Sequence, residues 1–276
     1  MTIQSIIDAI LAYHPDIGDG RTCDVAVGAD PDRECTGIVI SIAPTVPVLL
    51  KAEKLGANFI LVHEPTFYSG YDDDCGWLAG DMVYMEKQHL LEQLGITIFR
   101  DHDHMHAHRP DGIFHYMLKQ LGWEDYLVPE EGPGFAVRLP RTRLGDLCGH
   151  IRERFDLDTV RFVGDPGGIV SYVGFCGHLL PGPHTNWSNN DIVLAARKYD
   201  VIIAGETVDW TLPLYVYDAG WLCGPKGLIA PGHFVQEEAG MRWAEEWLRP
   251  LLGGADLPIT FVPTGDIWNY RRDEYM

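Results

Sequence analysis

The segment from Gly37 to Pro65 constrains this chain more than any other. Gly37-Ile38-Val39-Ile40-Ser41-Ile42 reads as a strand. Pro44 is placed as the first residue of a helix, where a missing N–H costs nothing, and that helix is expected to run to about Leu55. Gly56 can end it in the left-handed conformation. Phe59-Ile60-Leu61-Val62 follows as a continuous apolar run, the pattern of a strand covered on both faces. Strand, helix and strand with this punctuation predict a parallel βαβ unit, hence an α/β sheet. The second strand runs out into His63-Glu64-Pro65. Open α/β sheets place ligands beyond the carboxyl ends of their strands, so a histidine and a carboxylate at that position are candidate ligands.

A second strand end carries more of the same chemistry. Ile96-Thr97-Ile98-Phe99 leads into Arg100-Asp101-His102-Asp103-His104-Met105-His106-Ala107-His108, which holds four of the chain's twelve histidines at alternate positions. An extended stretch would turn His102, His104 and His106 to one side and Asp101 and Asp103 to the other. An imidazole cluster there suits a metal such as zinc, iron or manganese. The other reading is a solvated polar loop with no ligand.

The remaining segments supply context. Ile3, Ile6, Ile7, Ile10 and Leu11 recur at helical spacing, predicting a helix over 2–13. Gly18-Asp19-Gly20 breaks it, and residues 21–36 read as polar and irregular. Residues 66–80 form a long loop; Asp72 to Asp74 are expected as solvated surface, with a lid as the alternative. Helices are expected over 81–94, closed by Gly95, and over 111–121. Gly132-Pro133-Gly134 is a joint, followed by a strand from Phe135 to Leu139 and a helix marked by Leu144, Leu147, Ile151 and Phe155. Strands at Val160–Val163 and Ile169–Cys176 flank Gly164-Asp165-Pro166-Gly167-Gly168, a turn without the lysine of a nucleotide-binding loop. Pro181-Gly182-Pro183 is a loop, and a helix is expected over 189–199. Lys198-Tyr199-Asp200-Val201-Ile202-Ile203-Ala204-Gly205-Glu206 then resembles Leu55 to Glu64, which suggests two similar halves. After a strand at Gly227–Ala230, one helix is expected from near His233 through Leu251. His233 and Glu237 share a face of its first turn, so they can serve one metal or two adjacent ones, or Glu237 can simply favour the helix dipole.

Charge and cysteine usage narrow the partners. A 276-residue chain with a net charge of −19 is a poor partner for nucleic acid or an anionic membrane surface. The start, Met1-Thr2-Ile3-Gln4, lacks the basic-then-apolar pattern of a secretory signal, and the apolar runs fall far short of the ~20 residues that span a bilayer. A soluble, cytoplasmic protein is expected. Six scattered cysteines with no Cys-x-x-Cys pair are expected as reduced, mostly buried thiols.

Over nearly its whole length the chain resembles the Nif-three-like dinuclear metal-centre proteins, also called GTP cyclohydrolase I type 2 homologues. The resemblance rests on His63-Glu64-Pro65, where the family has His-His-Pro; on Asp101 to His106, where it has Ala-His-Thr-Asn-Leu-Asp; and on Gly232-His233 with Glu237 four residues on. It implies an α/β Nif-three-like fold of two similar halves with a metal site in the cleft between them. The divisions would be 1–131, 132–225, and a segment 226–276 returning to complete the site. It implies two divalent ions held by His63, Glu64, His106, His233 and Glu237. Glu64 stands for a histidine and His106 for an aspartate, so the exchange keeps three imidazoles, two carboxylates and the ligand charge. Either Glu64 takes over the bridging role of that aspartate or a single metal binds well, because a neutral imidazole normally serves one metal. His102 matches the family's other histidine, as ligand or catalytic proton shuttle; Asp101, Asp103 and His104 can orient ligating imidazoles. The implied function is metal-dependent hydrolysis of a phosphorylated or nucleotide-like small molecule, with GTP ring opening as the family's named activity. The alternative is a non-enzymatic metal-binding or protein-interaction scaffold. A homo-oligomer, specifically a hexamer, is implied as well. His and carboxylate ligands do not distinguish zinc, iron, manganese and nickel.

Overall fold

The computed structural model describes residues 1–128, 135–179, 189–265 and 267–268. In chain order it opens with α1 (Ile3–Tyr13), β1 (Ala26–Gly28), β2 (Ile38–Ser41), α2 (Val46–Leu55), β3 (Phe59–Val62), α3 (Met82–Leu94), β4 (Thr97–Arg100) and α4 (Asp103–Ala107). Then come α5 (Gly112–Leu121), β5 (Leu127–Val128), β6 (Phe135–Arg143), α6 (Leu144–Arg154), β7 (Arg161–Val163), β8 (Ile169–Leu179), α7 (Asn189–Lys198), β9 (Val201–Thr207), α8 (Leu212–Leu222) and β10 (Gly227–Ala230). The chain closes with α9 (His233–Arg242), α10 (Glu245–Leu251) and β11 (Ile259–Phe261). It divides into two compact units: Met1–Tyr116 with Glu237–Met276, and Met117–Gln236. The expected joint at Gly132-Pro133-Gly134 and the loop at Pro181-Gly182-Pro183 lie outside the described residues.

The first unit holds a five-stranded sheet in the order β1-β4-β3-β2-β11. β2, β3, β4 and β11 run parallel, and β1 pairs antiparallel with β4. The βαβ unit expected from Gly37 to Val62 is therefore present, its strands in register at Ile38–Phe59 and Ser41–Val62. Every residue of β2, β3 and β4 is buried, as the unbroken apolar runs require. The helix between the strands starts later than expected. Thr45 is the capping residue and Pro47, not Pro44, occupies the first turn. Gly56 closes α2 at φ 70° and Gly95 closes α3 at φ 60°, backbone that a side chain would disfavour. The chain's first helix buries Ile3, Ile6, Ile7 and Ile10 along one stripe, whereas Leu11, which the spacing places with them, is exposed.

Two corrections bear on function. The stretch after β4 is not extended: it turns into the short helix α4, with His102 at its N-cap position. The cause is remote in sequence. Asp24, on a loop read as irregular, accepts the backbone N–H groups of His102 at 2.7 Å and Asp103 at 2.8 Å on one oxygen, and of His104 at 2.9 Å on the other. A carboxylate there satisfies the donors that a helix start leaves orphaned. His102 and His106 thereby fall four residues apart along a helical turn, and His104 leaves them to pair with the Asp24 carboxylate. The second correction is Asp72, expected as solvated surface. It is buried, and its carboxylate accepts from Thr66 N at 2.8 Å and Phe67 N at 2.9 Å. Lys87 Nζ donates to the Thr66 carbonyl from the other side at 2.6 Å. The loop leaving His63-Glu64 is thus tied down at its root. Asp73 and Asp74 stay exposed beside Arg21, as expected.

The second unit holds a six-stranded sheet in the order β5-β6-β8-β9-β10-β7. β8, β9 and β10 are parallel; the other pairings are antiparallel. Helix α8 was not anticipated. Leu-Pro-Leu-Tyr-Val-Tyr-Asp-Ala-Gly-Trp-Leu is apolar nearly all round, so it shows no 3.6-residue contrast. The single helix expected from His233 through Leu251 is two helices. Between them the hydrogen bonds tighten to three-residue spacing, Ala244 N to Met241 O at 3.1 Å and Glu246 N to Trp243 O at 3.0 Å. Among the described residues no helix is long and apolar enough to cross a membrane.

Replacing Asp24 with Ala is expected to cost about 2 kcal/mol of stability, read by urea denaturation, because three part-buried N–H groups at the start of α4 lose their acceptor. Lys87 supplies a pH test. Burial lowers its pKa to about 8 from 10.5, with Asp72 opposing. The unfolded chain therefore holds more protons across that interval, so the Lys87 contribution to stability rises with pH between 8 and 10.5. Denaturation at both ends of the interval should show the wild-type chain gaining on a Lys87→Met variant; a constant difference would refute the assignment.

Candidate metal centre

In the first unit β3 and β4 are neighbours, paired at Val62 and Arg100, so the residues that follow them emerge side by side. His63 follows β3 and is fully buried. Its Nδ1 lies 2.9 Å from the backbone carbonyl of Asp101. A carbonyl only accepts, so the proton sits on Nδ1 and a lone pair is left on Nε2. His106, at the end of α4, has its Nδ1 2.8 Å from Asp111 Oδ2, which leaves Nε2 to point away from that pair. The two Nε2 atoms face each other at 3.2 Å. Two lone pairs so placed repel unless a proton or a metal ion lies between them.

Electrostatics around the pair are divided. Burial pushes the His63 pKa well below the ordinary imidazole value; His102 and His106 add to that, and Glu237 opposes it. Burial alone would lower His106 too. Its hydrogen bond to Asp111, with the nearby charges of Asp111, Glu237 and Asp103, overcomes this and raises it to about 9. Without metal, His106 thus carries the proton that separates the lone pairs. A metal ion bound between the rings would have to displace it.

His102 stacks on His63 with ring centroids 4.4 Å apart. Its Nδ1 is 2.9 Å from Asp103 Oδ1. That hydrogen bond, joined by one from Cys23 N, holds the Asp103 carboxyl far below the usual range despite partial burial. One ligand atom from each of His63, His102 and His106 lies within 4.8 Å of the others. Glu237, the last of the local group, is 1% exposed and brings Oε2 to 3.5 Å from His63 Nε2. Glu64 follows His63, buried, with Oε2 3.9 Å from Arg100 Nη2. Arg100 is itself held by the carbonyls of His63 at 3.0 Å and Gly70 at 2.7 Å. A carboxylate oxygen of Glu64 lies within 4.8 Å of one on Glu237. Two buried carboxylates that close call for positive charge between them. Imidazole nitrogens, carboxylates and a shortage of positive charge together fit a divalent cation.

His233 belongs to the second unit. There it opens α9, with its Nδ1 3.0 Å from Glu206 Oε1 at the end of β9. Glu237 is one turn further along the same helix. The first unit thus brings His63, Glu64, His102, His106 and Glu237 together, and the second sets His233 against Glu206. Asp111 and Asp24 carried no weight in the sequence reading, although Asp111 had a legible signal. It stands just before α5, and its Oδ1 accepts Ile113 N at 3.0 Å and Phe114 N at 3.1 Å, in the manner of a helix cap. Asp24 had none, being 78 residues from His102.

No curated protein matches this sequence. Several solved structures share its fold. A hypothetical protein of Staphylococcus aureus, SA1388, aligns with a TM-score of 0.73 at 17% identity, covering 98% of this chain and 99% of that one. A Bacillus cereus protein related to NIF3 aligns at 0.71 and 15% identity, covering 98% and 99%. The protein ybgI, of unknown function, aligns at 0.68 and 21% identity, covering 96% and 99%. At these identities the likeness concerns the fold. The sequence profile of Duf34/NIF3 (NGG1p interacting factor 3) matches residues 1–265, and the chain belongs to that family.

Proposed function

We propose that this protein binds two divalent metal ions through His63, Glu64, His106, His233 and Glu237 and acts as a metal-dependent hydrolase on a phosphorylated or nucleotide-like small molecule. The observation that carries the metal reading is the pair of Nε2 atoms at 3.2 Å, each on a ring whose Nδ1 is held by an oxygen acceptor. Such acceptors set tautomer and ring orientation for ligation. Glu206 does the same for His233. Bound in pairs, divalent ions supply Lewis-acid polarisation and water activation. The chain's own contribution is positioning and proton handling. Asp101, Asp111 and Glu206 aim imidazoles; Glu64 and Glu237 supply negative charge; Arg100 holds Glu64 in place. His102, with Nδ1 held by Asp103 and its ring partly exposed, serves as the general acid or base.

A second reading, a metal-binding interaction scaffold in oligomeric form, is favoured by one observation in the second unit. Trp210, Leu214, Tyr217 and Trp221 lie three or four residues apart on and just before α8, and are 66%, 50%, 55% and 79% exposed. An exposed apolar stripe of that size supports a docking role. The family is also named for a protein that interacts with NGG1p. We take the occupant to be another copy of the chain, up to the hexamer that the sequence resemblance implies. A cytoplasmic setting belongs to the same reading.

Elemental analysis of the full-length protein is expected to give close to two divalent ions per chain; metal titration is expected to show apparent affinity falling at least tenfold in His106→Ala and about 10–100-fold in Asp111→Asn, which keeps the His106 ligand and removes the charge that orients it. The hydrolase reading further requires metal-dependent turnover on a panel of phosphoesters and nucleotides; bound metal without turnover would support the scaffold instead. For the oligomer, light scattering is expected to show a multimer that Tyr217→Glu with Trp221→Glu dissociates. A wild-type monomer would overturn it.

A further inference from the structure

We infer that Cys23, His102 and Asp103 form a second, thiolate-containing site that takes a zinc ion, distinct from the His63–His106–Glu237 group. One ligand atom from each of the three lies within 4.8 Å of the other two. Asp103 Oδ1 is at the centre, 2.9 Å from His102 Nδ1 and 3.4 Å from Cys23 Sγ. Donors around a tetrahedral zinc, with Zn–N and Zn–O near 2.0–2.2 Å and Zn–S near 2.3 Å, stand about 3.3–3.6 Å apart. Small side-chain adjustments therefore admit the ion.

The arrangement is held from outside the three ligands. Asp103 Oδ2 accepts from Cys23 N at 3.0 Å and from Thr22 Oγ1 at 2.9 Å, so its partner oxygen Oδ1 is the one offered inward. Asp24 fixes the backbone of His102 and Asp103 beside the thiol. Cys23 is buried, while the side chains of His102 and Asp103 are 21% and 36% exposed, which leaves a way in. The other described cysteines differ. Cys35 donates to the Gly37 carbonyl and Cys75 to that of Asp72, and among the described residues only Cys23 shares a cluster of metal-binding side chains. Three donors of this kind, one soft and two harder, suit zinc.

Without the ion, the Cys23 thiol and the His102 Nδ1–H both donate to Asp103 Oδ1. Zinc binding forms Zn–S, Zn–N and Zn–O bonds, releases the thiol proton to water and moves the imidazole proton from Nδ1 to Nε2. No oxidation is involved. The shift has a consequence for the neighbouring group. His102 then presents an N–H, and no longer a lone pair, on its other nitrogen. The two sites therefore share His102 in opposite tautomers. The inference does not depend on the proposed hydrolase.

Cobalt(II) reports the ligand type. The full-length protein, titrated with Co(II), is expected to develop a near-ultraviolet thiolate-to-cobalt charge-transfer band. Cys23→Ser, which preserves shape, should abolish that band and keep the remaining cobalt absorption; Cys223→Ser, at an exposed cysteine, should leave the band intact. His106→Ala should remove metal from the neighbouring group while the band persists. Zinc should displace the band stoichiometrically. No band in the wild-type protein, or a band that survives Cys23→Ser, overturns the inference. A band that persists alongside full metal content in His106→Ala would instead defeat the proposed dinuclear centre and leave this site standing.

Discussion

The carboxylate of Asp24 is the contact on which the rest of the candidate site depends. Three successive backbone N–H groups, of His102, Asp103 and His104, converge on its two oxygens, and its side chain is buried with them. That contact converts a strand exit into a helical turn. The turn puts His106 opposite His63, Asp103 beside Cys23, and leaves the Asp101 carbonyl to hold the His63 ring. An extended chain would have put His104 on the same side as His102 and His106. In the fold His104 is spent on Asp24 itself.

A common device runs through the titratable groups. His63, His102, His106 and His233 each have Nδ1 against an oxygen acceptor, from Asp101, Asp103, Asp111 and Glu206 respectively. Fixing Nδ1 fixes which nitrogen is offered outward, and it removes the rotational freedom that metal binding would otherwise have to freeze. Further back, Asp101 is wholly buried and shares Oδ2 with His14 Nε2 at 2.9 Å; burial raises its carboxyl pKa against the lowering pull of that histidine. These are costly groups to bury. Their concentration at two strand ends is what makes this a candidate functional site rather than ordinary core.

Part of this was legible in the chain. Pure apolar runs bounded by glycine predicted the parallel strands β2 and β3, because burial on both faces leaves no alternation to read; the proline signal was misplaced, since Pro47 and not Pro44 lies in the first turn of α2. Strand ends followed by histidine and carboxylate pointed to the site's position. Several elements escaped for definite reasons. β1 and β11 are three residues long, too short for any period, and are strands only because β4 and β2 offer them an edge. Helix α8 is apolar on all sides. Asp72 sits among three acidic residues that look alike in sequence, and two backbone N–H groups single it out for burial.

The sequence by itself determined the class of fold, the family, and the kinds of ligand available, since these follow from local hydrophobic runs, turn residues and the supply of imidazole and carboxylate. Only the tertiary structure decided how those ligands are used. Whether residues 102–106 are strand or helix was settled by Asp24, which ring nitrogen is offered by acceptors such as Asp101 O and Asp111, and which cysteine has metal-binding neighbours by the approach of residues 22–24 to Asp103. Each depends on groups far apart along the chain, and a hydrogen bond across that separation leaves no local pattern to read.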